Sequence, residues 1–247
     1  MRIATYNIWD SDMGMPARFT HLTAEITGIK ADIMCLQEVS DPAKHQSFSA
    51  LCGYGYSHLQ AQAGLSILSR YPITKSADLE YGTYACIRYK SIALLVANVH
   101  LPWDKASLRE RAVVDIAESL SGIKADYTFL LGDFNCSENS SVSRFLTNEQ
   151  SLLGADAYYF DLAEAYADMN GTRPPATLSF RKNPRWGTAE PRNTIEADQR
   201  FDRILLKDPY PEKLPELKSC TLFGTNISEE TKLAASDHYG VMAEVEF

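Results

Sequence analysis

The sequence predicts an α/β fold in which layered β-sheets are flanked by helices, and three observations indicate it. Nine short apolar runs with the character of strands are spread along the 247 residues, whereas only two segments have clear helical periodicity. So many strands with so few helices do not fit a regular βαβ array. The composition, 45% hydrophobic and 23% charged, provides enough apolar material for a folded core.

The predicted strands are short runs rich in apolar and β-branched residues, bounded by turn-forming residues. They are Arg2–Ile8, Ile33–Leu36, Leu65–Ser69, Thr83–Arg88, Ile92–Val99, Tyr127–Leu131, Phe201–Leu206, Ser219–Phe223 and Val241–Phe247.

The two predicted helices each have apolar residues at spacings of three and four, so that one face of each helix is apolar. In the second helix, Gly122 follows the last apolar residue and is a typical stop signal. The apolar positions are Phe19, Leu22, Ile26 and Ile29 in the first helix and Leu108, Ala112, Ile116 and Leu120 in the second.

The charge of the chain is −8, from 32 acidic and 24 basic residues, which argues against a passive nucleic-acid-coating protein. It does not exclude an enzyme with a local basic patch. The segment Asn170–Arg200 is such a patch, since its six cations against three acids give a local charge of +3 and leave −11 on the remainder. A long irregular segment of this kind is often functional, although a solvated surface loop is an equal alternative.

The five cysteines are odd in number, scattered and without a CxxC pair, so neither a disulfide framework nor a zinc site is predicted. Reduced thiols, together with a first segment that lacks the apolar stretch of a signal peptide, predict a cytoplasmic protein. No run of about 18 apolar residues predicts a membrane segment. No protein partner is indicated.

Polar side chains follow or begin the apolar strands at six places along the chain. A lone polar residue at a strand end is usually a solvated cap, but six such places are hard to dismiss, since rigid scaffolds present catalytic groups on such loops. The residues concerned are Asn7, Glu38, His100, Asp133, Asn135, Asp202, Asp237 and His238.

These residue types also make chemical sense together. Glu38, with Asn7 or an acidic residue nearby, offers the hard oxygen ligands that Mg²⁺ or Mn²⁺ prefers. His238 is a candidate acid, base or phosphate donor, and either Asp202 or Asp237 could bond its other ring nitrogen. A metal, an acid–amide pair and histidines together indicate hydrolysis at phosphorus.

The acid–amide pair lies in LLGDFNCSE, residues 130–138, where an apolar run stops at Gly132. The period-two alternation of a strand predicts that Phe134 points into the core and that Asp133 and Asn135 face the same side. Cys136 beside them has no evident role.

The ordered motifs TYN, LQEV, NVHL, GDFN, RFDRI and SDH resemble the endonuclease/exonuclease/phosphatase superfamily of DNase I-like, metal-dependent phosphoesterases. The resemblance extends from Asn7 to His238 and implies a single domain over residues 1–247. The fold it implies is a four-layer α/β/β/α sandwich of two packed mixed β-sheets flanked by helices.

The resemblance also implies roles for the polar residues. Glu38 would be the principal metal ligand, with Asn7 and Asp237 close to the metal. The groups that would act directly on water and phosphate are five. Asp133 would orient or deprotonate the attacking water, and Asn135 would hold that water and the phosphate. His238, paired with Asp202, would contact the scissile phosphate. His100 would donate a hydrogen bond to a phosphate oxygen.

RFDRI followed by SDHYG resembles the tyrosyl-DNA phosphodiesterase 2 branch, whereas NVHL equally resembles DNase I-like nucleases, sphingomyelinases and inositol-phosphate phosphatases. We therefore expect a Mg²⁺-dependent phosphodiesterase of nucleic acid or nucleotide-like substrates. A phosphatase or diesterase of small-molecule or lipid head-group phosphates is the alternative, and an inactive binding module is disfavoured because the motif residues are all present. The predicted substrate-binding residues are Arg181, Lys182, Arg185 and Trp103.

Overall fold

Two six-stranded sheets form the centre of the protein. The computed structural model describes residues 1–187 and 195–247, so Glu190 and Arg192 of the basic segment lie outside the described residues. In spatial order, the first sheet consists of β11 (Glu216–Phe223), β12 (Gly240–Glu246), β1 (Arg2–Asn7), β2 (Ile33–Gln37), β4 (Leu65–Ser69) and β3 (Tyr56–Gln60). The second consists of β5 (Ile73–Leu79), β6 (Gly82–Tyr89), β7 (Ile92–His100), β8 (Tyr127–Asp133), β10 (Asp202–Lys207) and β9 (Tyr159–Asp161).

Each sheet is mixed. In the first sheet β1 and β2 are parallel, and in the second β7 and β8 are parallel, while the other neighbouring strands run antiparallel. Because parallel strands end at the same edge of a sheet, the residues that follow these two pairs are brought to a common edge.

Three apolar clusters give the layers of the fold. Among the described residues the α-helices are α1 (Ala17–Gly28), α2 (Pro42–Leu51), α3 (Ala106–Ser121), α4 (Ser141–Leu146) and α5 (Leu162–Met169). One cluster joins α1 and α2 to the first sheet, a second fills the space between the two sheets, and a third joins α3 and α4 to the second sheet. The four-layer sandwich expected from the sequence is thereby confirmed.

Local signals in the sequence explain where several elements begin and end. Asp41 caps α2 by accepting a hydrogen bond from the backbone N–H of Ala43 at 2.8 Å, and Pro42 occupies the first helical turn, where its missing N–H costs nothing. β8 is buried along its whole length, as its apolar sequence predicts. At its end Gly132 has a φ of 138°, and a Cβ there would lie 2.0 Å from the carbonyl oxygen of Val99 in β7.

Every predicted strand and both predicted helices have a counterpart in the structure. The structure adds three strands, β3, β5 and β9, and three helices, α2, α4 and α5. Cys35 is buried, while Cys86 is only partly buried. None of the described helices has both the length and the apolar character needed to span a membrane.

Candidate active site

The polar residues selected from the strand ends meet at one edge of the two sheets. Asn7 ends β1, His100 ends β7 and Asp133 ends β8. In the second sheet, Asp133 is the register partner of both His100 and Asp202. The sandwich thus places side chains from distant parts of the chain within hydrogen-bonding reach.

Asn7 connects the two sheets at this edge. Its Nδ2 donates to Oε1 of Glu38 at 2.9 Å and to Oδ2 of Asp133 at 3.0 Å. Glu38 follows β2 of the first sheet, whereas Asp133 belongs to β8 of the second. One buried amide therefore fixes the separation of the two carboxylates.

Glu38 is held by the backbone around it. Its φ of 64° is in the left-handed region, which turns the chain sharply after β2. The second carboxylate oxygen accepts a hydrogen bond from the N–H of Asp10 at 2.7 Å. Gly64 lies close by, since a Cβ there would be 3.2 Å from the nitrogen of Val39. The half-buried Glu38 carboxylate is thus fixed at the rim of the site.

His238 and Asp202 form a buried pair. Nδ1 of His238 lies 2.8 Å from Oδ2 of Asp202, and Nε2 lies 3.9 Å from Oδ2 of Asp133. Burial opposes the charged ring, but the two carboxylates outweigh it and raise the pKa of His238 to about 10. His238 is therefore an imidazolium at neutral pH, with Nε2–H directed toward the centre of the site. Of the two acids left open by the sequence, Asp202 is the partner.

Asp133 lies at the centre of the cluster and is buried. Besides the bond from Asn7, its Oδ2 lies 3.6 Å from Nε2 of His100, and its Oδ1 accepts from the backbone N–H of Asn135 at 2.8 Å. Asn135 has a φ of 48° and donates its Nδ2 to the carbonyl of Leu101 at 2.9 Å. Phe134 is buried as predicted, but strand alternation stops at Asp133, so the turn and not the strand period places Asn135.

A second polar network joins the sheets just below the site. Nε2 of Gln37 in β2 donates to Oδ1 of Asn98 in β7 at 2.6 Å. Nδ2 of Asn98 donates in turn to the carbonyls of Leu36 and Ser66, both at 2.9 Å. Buried side-chain amides need hydrogen-bond partners, and here the partners of Asn98 in the second sheet belong to the first sheet. These bonds therefore fix the position of one sheet relative to the other close to the candidate site residues.

The loop that carries Asp237 is held by the basic segment. Nδ2 of Asn183 donates to the carbonyls of Ser236 and Asp237 at 2.9 and 3.0 Å. The indole N–H of Trp186 donates to the carbonyl of Asp237 at 2.9 Å. The described part of this segment is therefore attached to the site edge and is not a detached surface loop.

The predicted substrate-binding residues occupy different surroundings. Arg181 and Lys182 are exposed, and Trp103 is 79% exposed three residues after His100. Arg185 is partly buried, donates to the carbonyl of Ala234 at 2.6 Å and has its guanidinium 5.0 Å from the ring centre of Trp9. Arg181, Lys182 and Trp103 are thus free to meet a ligand, whereas the guanidinium of Arg185 is already engaged within the fold.

The donor set beside Glu38 fits a hard divalent cation. Glu38, Asn7 and Asp237 supply only oxygen ligands. Burial raises the pKa of Asp237, and the nearby Glu38 carboxylate raises it further, against the opposing effect of His238. Asp133, Asp202 and His238 also lie close together, with one potential ligand atom of each within 4.8 Å of the others.

Sequence reasoning missed several residues that hold the site. Asn183 and Ser236 support the Asp237 loop, since the hydroxyl of Ser236 donates to the carbonyl of Asn7 at 2.8 Å. Arg18 of α1 donates to the carbonyls of Ile8 and Trp9, at 2.9 and 3.0 Å. Their role depends on tertiary contacts, and the only sequence signal was that Ser236 directly precedes Asp237.

Comparison with known proteins agrees with this geometry. A profile of the Endonuclease/Exonuclease/phosphatase family matches residues 4–238. Among curated proteins, no sequence matches the chain. Solved structures share the fold over nearly the whole of this chain.

Three of these structures illustrate the range. TDP2 of D. rerio complexed with single strand DNA product has a TM-score of 0.79 at 17% identity, with 100% of this chain and 99% of that chain covered. Truncated TDP2 of Caenorhabditis elegans has a TM-score of 0.74 at 19% identity, covering 100% and 97%. Beta toxin of Staphylococcus aureus has a TM-score of 0.69 at 15% identity, covering 99% of each chain.

The family profile covers all six motifs, and the structure brings their polar residues into one buried cluster at the edge of a two-sheet sandwich. The chain therefore belongs to the Endonuclease/Exonuclease/phosphatase family and is a hydrolase of phosphoric ester bonds.

Proposed function

We propose that the enzyme is a Mg²⁺-dependent phosphodiesterase that acts on nucleic acid or nucleotide-like substrates, as a nuclease or a 5′-tyrosyl-DNA phosphodiesterase. Mn²⁺ has the same hard-oxygen preference and is the alternative cation. The observation that carries the proposal is the bridge from Glu38 through Asn7 to Asp133, with His238 opposite. These contacts place Glu38, the candidate cation ligand, next to Asp133, the candidate residue for the attacking water, and Asp133 next to the charged ring of His238.

The cation would be held by Glu38, with Asn7 and Asp237 nearby. When bound, it supplies positive charge that neutralises the phosphate oxygens and stabilises the transition state. A cation of this kind binds through one or two carboxylates plus the substrate itself, which is consistent with so small a set of protein ligands.

The protein residues would then act on water and phosphate. Asp133 orients the attacking water and takes up its proton, while Asn135 holds that water and the phosphate. His238 donates from Nε2 to a non-bridging phosphate oxygen, and Asp202 keeps the ring charged and oriented. His100 donates to a second phosphate oxygen. As the water oxygen bonds to phosphorus, the bond to the leaving oxygen breaks, and the leaving group departs as an alkoxide or phenolate that takes a proton from solvent. These donors meet the charge that develops on the phosphate.

Two features favour a nucleic acid substrate. The basic segment attached to the Asp237 loop presents Arg181 and Lys182, which suit phosphates flanking the scissile one. Trp103 offers an exposed aromatic face for stacking near His100, as single-strand binding sites use. One structural neighbour, TDP2 of D. rerio, was solved with single strand DNA product.

A second candidate is a phosphatase or diesterase of small-molecule or lipid head-group phosphates, of the inositol-phosphate or sphingomyelinase type. The observation that favours it is the overall charge of −8, which weakens long-range attraction to DNA. The catalytic groups are equally suited to either substrate, since they address only the phosphate.

Hydrolysis of bis-p-nitrophenyl phosphate tests the enzymatic core of the proposal. We expect activity with Mg²⁺ that is abolished by EDTA, restored by excess Mg²⁺ and lost in Glu38→Ala and His238→Ala. Glu118→Ala, at an exposed position on α3, is the control and retains activity. A folded wild-type sample that is inactive with every divalent metal tested would refute the metal-dependent mechanism.

A parallel substrate panel separates the two candidates. A 5′-tyrosyl oligonucleotide, plain DNA, RNA and a phospholipid are compared by kcat/KM under one buffer condition. The proposal expects the highest value for one of the nucleic acids. A higher value for the phospholipid supports the second candidate instead.

A further inference from the structure

Arg203 is a buried cation directly behind the catalytic acids. It follows Asp202 in β10, so its side chain leaves the strand on the opposite face, and its register partner is Gly132. It is 2% exposed and is among the largest fully buried side chains of the described chain. A buried arginine is costly unless its donors are used, so its contacts indicate what it does.

The guanidinium of Arg203 contacts the residues on both sides of Asn135, and its Nε lies 4.0 Å from Oδ2 of Asp161. Nη2 donates to the carbonyl of Cys136 at 2.7 Å, and Nη1 lies 3.6 Å from Sγ of the same residue. Its central carbon lies 5.5 Å from the ring centre of Phe134. Arg203 therefore holds the two neighbours of Asn135 without touching Asn135 itself.

The backbone of Asn135 is in a conformation that glycine and asparagine adopt more readily than other residues. Its φ is 48°, which lies in the left-handed region. The turn is fixed at its start by the N–H of Phe134, which donates to the carbonyl of Phe201 at 2.9 Å. Arg203 fixes it at its end through Cys136. If that end were released, Asn135 could relax to a commoner backbone conformation and move its amide.

We propose that Arg203 is a positioning residue, which fixes the turn 134–136 so that Asn135 keeps its backbone hydrogen bond to Asp133 and its side-chain hydrogen bond to Leu101 during hydrolysis. The inference rests on the proposed role of Asn135 in holding water and phosphate. It does not depend on which phosphoester is the natural substrate.

A cavity gives access to Arg203 from the side away from the catalytic cluster. It has a volume of about 460 Å³, lies between α4 and α5, and is lined by Arg144, Glu164, Arg173 and Arg203 among others. An Arg203→Ala variant would extend this cavity toward Cys136. A guanidinium ion from solution could then occupy the vacated space and restore the hydrogen bond to the Cys136 carbonyl.

The test compares Arg203→Ala with Arg200→Ala on bis-p-nitrophenyl phosphate with Mg²⁺. Arg200 is the control because it is also buried and pairs with Asp161, the carboxylate that Nε of Arg203 approaches at 4.0 Å, while its own hydrogen bonds include those to Asp161 and Glu164 and none to residues 134–136. It therefore tests the loss of an Asp161 ion pair without the loss of the turn contacts. We expect kcat to fall roughly 10- to 100-fold in Arg203→Ala with KM changed less than about threefold, the size typical of removing a supporting residue. Arg200→Ala should lower Tm but leave kcat within about threefold of wild type.

Two further measurements separate positioning from general destabilisation. Guanidinium chloride at non-denaturing concentration should raise kcat of Arg203→Ala but not of Asn135→Ala. The double variant Arg203→Ala/Asn135→Ala should be no slower than Asn135→Ala alone, because both changes remove the same contribution. Additive losses, or a loss in Arg203→Ala that guanidinium does not reverse, would overturn the inference.

The outcomes also distinguish this inference from the proposed function. Asn135→Ala at the wild-type rate refutes the role given to Asn135, and the inference falls with it. A slow Asn135→Ala beside Arg203→Ala at the wild-type kcat refutes the inference alone. If Arg203→Ala does not fold, Arg203→Lys replaces it, since lysine keeps the charge but cannot span both partners, and a wild-type kcat there overturns the inference.

Discussion

Replacing Asp202 by Asn should shift the pH range in which the enzyme works. Asp202 and His238 are 2.8 Å apart, and His238 is a proton donor in the proposed mechanism only while its ring is charged. Asn keeps the shape of the side chain and removes the negative charge. The expected result is a loss of activity that begins at a lower alkaline pH in the variant than in the wild type.

The size of the shift follows from the contact that is lost. A hydrogen bond to a charged group contributes about 1.5–3 kcal/mol, and about 1.36 kcal/mol corresponds to one pH unit in a pKa. The pKa of His238 should therefore fall from about 10 to roughly 8 or 9 in Asp202→Asn, with Asp133 still raising it. At pH 9 the charged fraction would drop from about nine-tenths to between about one-half and one-tenth.

The measurement is kcat/KM on bis-p-nitrophenyl phosphate as a function of pH, together with NMR titration of the His238 ring. Asp78→Asn is a matched control, because Asp78 contacts Nε2 of His58 at the same 2.8 Å but lies in β5, outside the site. The control should leave the profile unchanged. If kcat/KM fell at the same alkaline pH in the wild type and in Asp202→Asn, His238 would not be the group whose titration causes the fall.

The same pair should make stability depend on pH. The folded-state pKa of His238 lies above the value near 6.5 expected for an unfolded histidine. Its stabilising contribution is therefore fully present below pH ~6.5 and is lost as the pH rises through about 10. The difference in the free energy of unfolding between wild type and Asp202→Asn should narrow over that interval. A difference that widened toward pH 10 would contradict the charged state assigned to His238.

The remaining predictions concern the end of β8 and the basic segment. Gly132→Ala should lower the free energy of unfolding, measured in urea, by at least about 3 kcal/mol, because its Cβ would clash with the Val99 carbonyl. Gly122→Ala is the control and should cause no measurable change, because a Cβ there would meet no atom within 4 Å. Equal stabilities for the two variants would refute the steric argument. Arg181→Ala and Lys182→Ala should raise KM on an oligonucleotide and reduce the slope of log KM against log salt by about 0.7 each, and an unchanged slope would remove this segment from substrate binding.

Buried strands were predictable from the sequence because their signal is local. Leu65–Ser69 is observed with the bounds predicted, since an apolar run between turn residues allows few alternatives. β3 and β5 were missed because they are edge strands with exposed and half-exposed positions and no regular alternation. Their pairing is decided by the neighbouring strand, which a local pattern does not reveal.

The candidate site was predictable as a set of residues but not as an arrangement. The motifs named Glu38, Asp133 and His238, but the hydrogen bonds among them depend on how one sheet lies on the other. Asn135 illustrates the limit, because its place comes from a left-handed turn and not from strand alternation. Arg203 illustrates it further, since an arginine is expected at the surface unless tertiary structure supplies partners.

The division of the active site between the two sheets links catalysis to the volume of the core. Glu38 belongs to one sheet and Asp133 to the other, and a single Asn7 amide spans the gap between them. A substitution deep between the sheets, such as one at Phe129, alters the thickness of the sandwich and with it the distance that Asn7 must bridge. Residues with no chemical function can in this way change the reaction rate. A substitution in the core of one sheet therefore has to be compatible with the residues of the other sheet that pack against it.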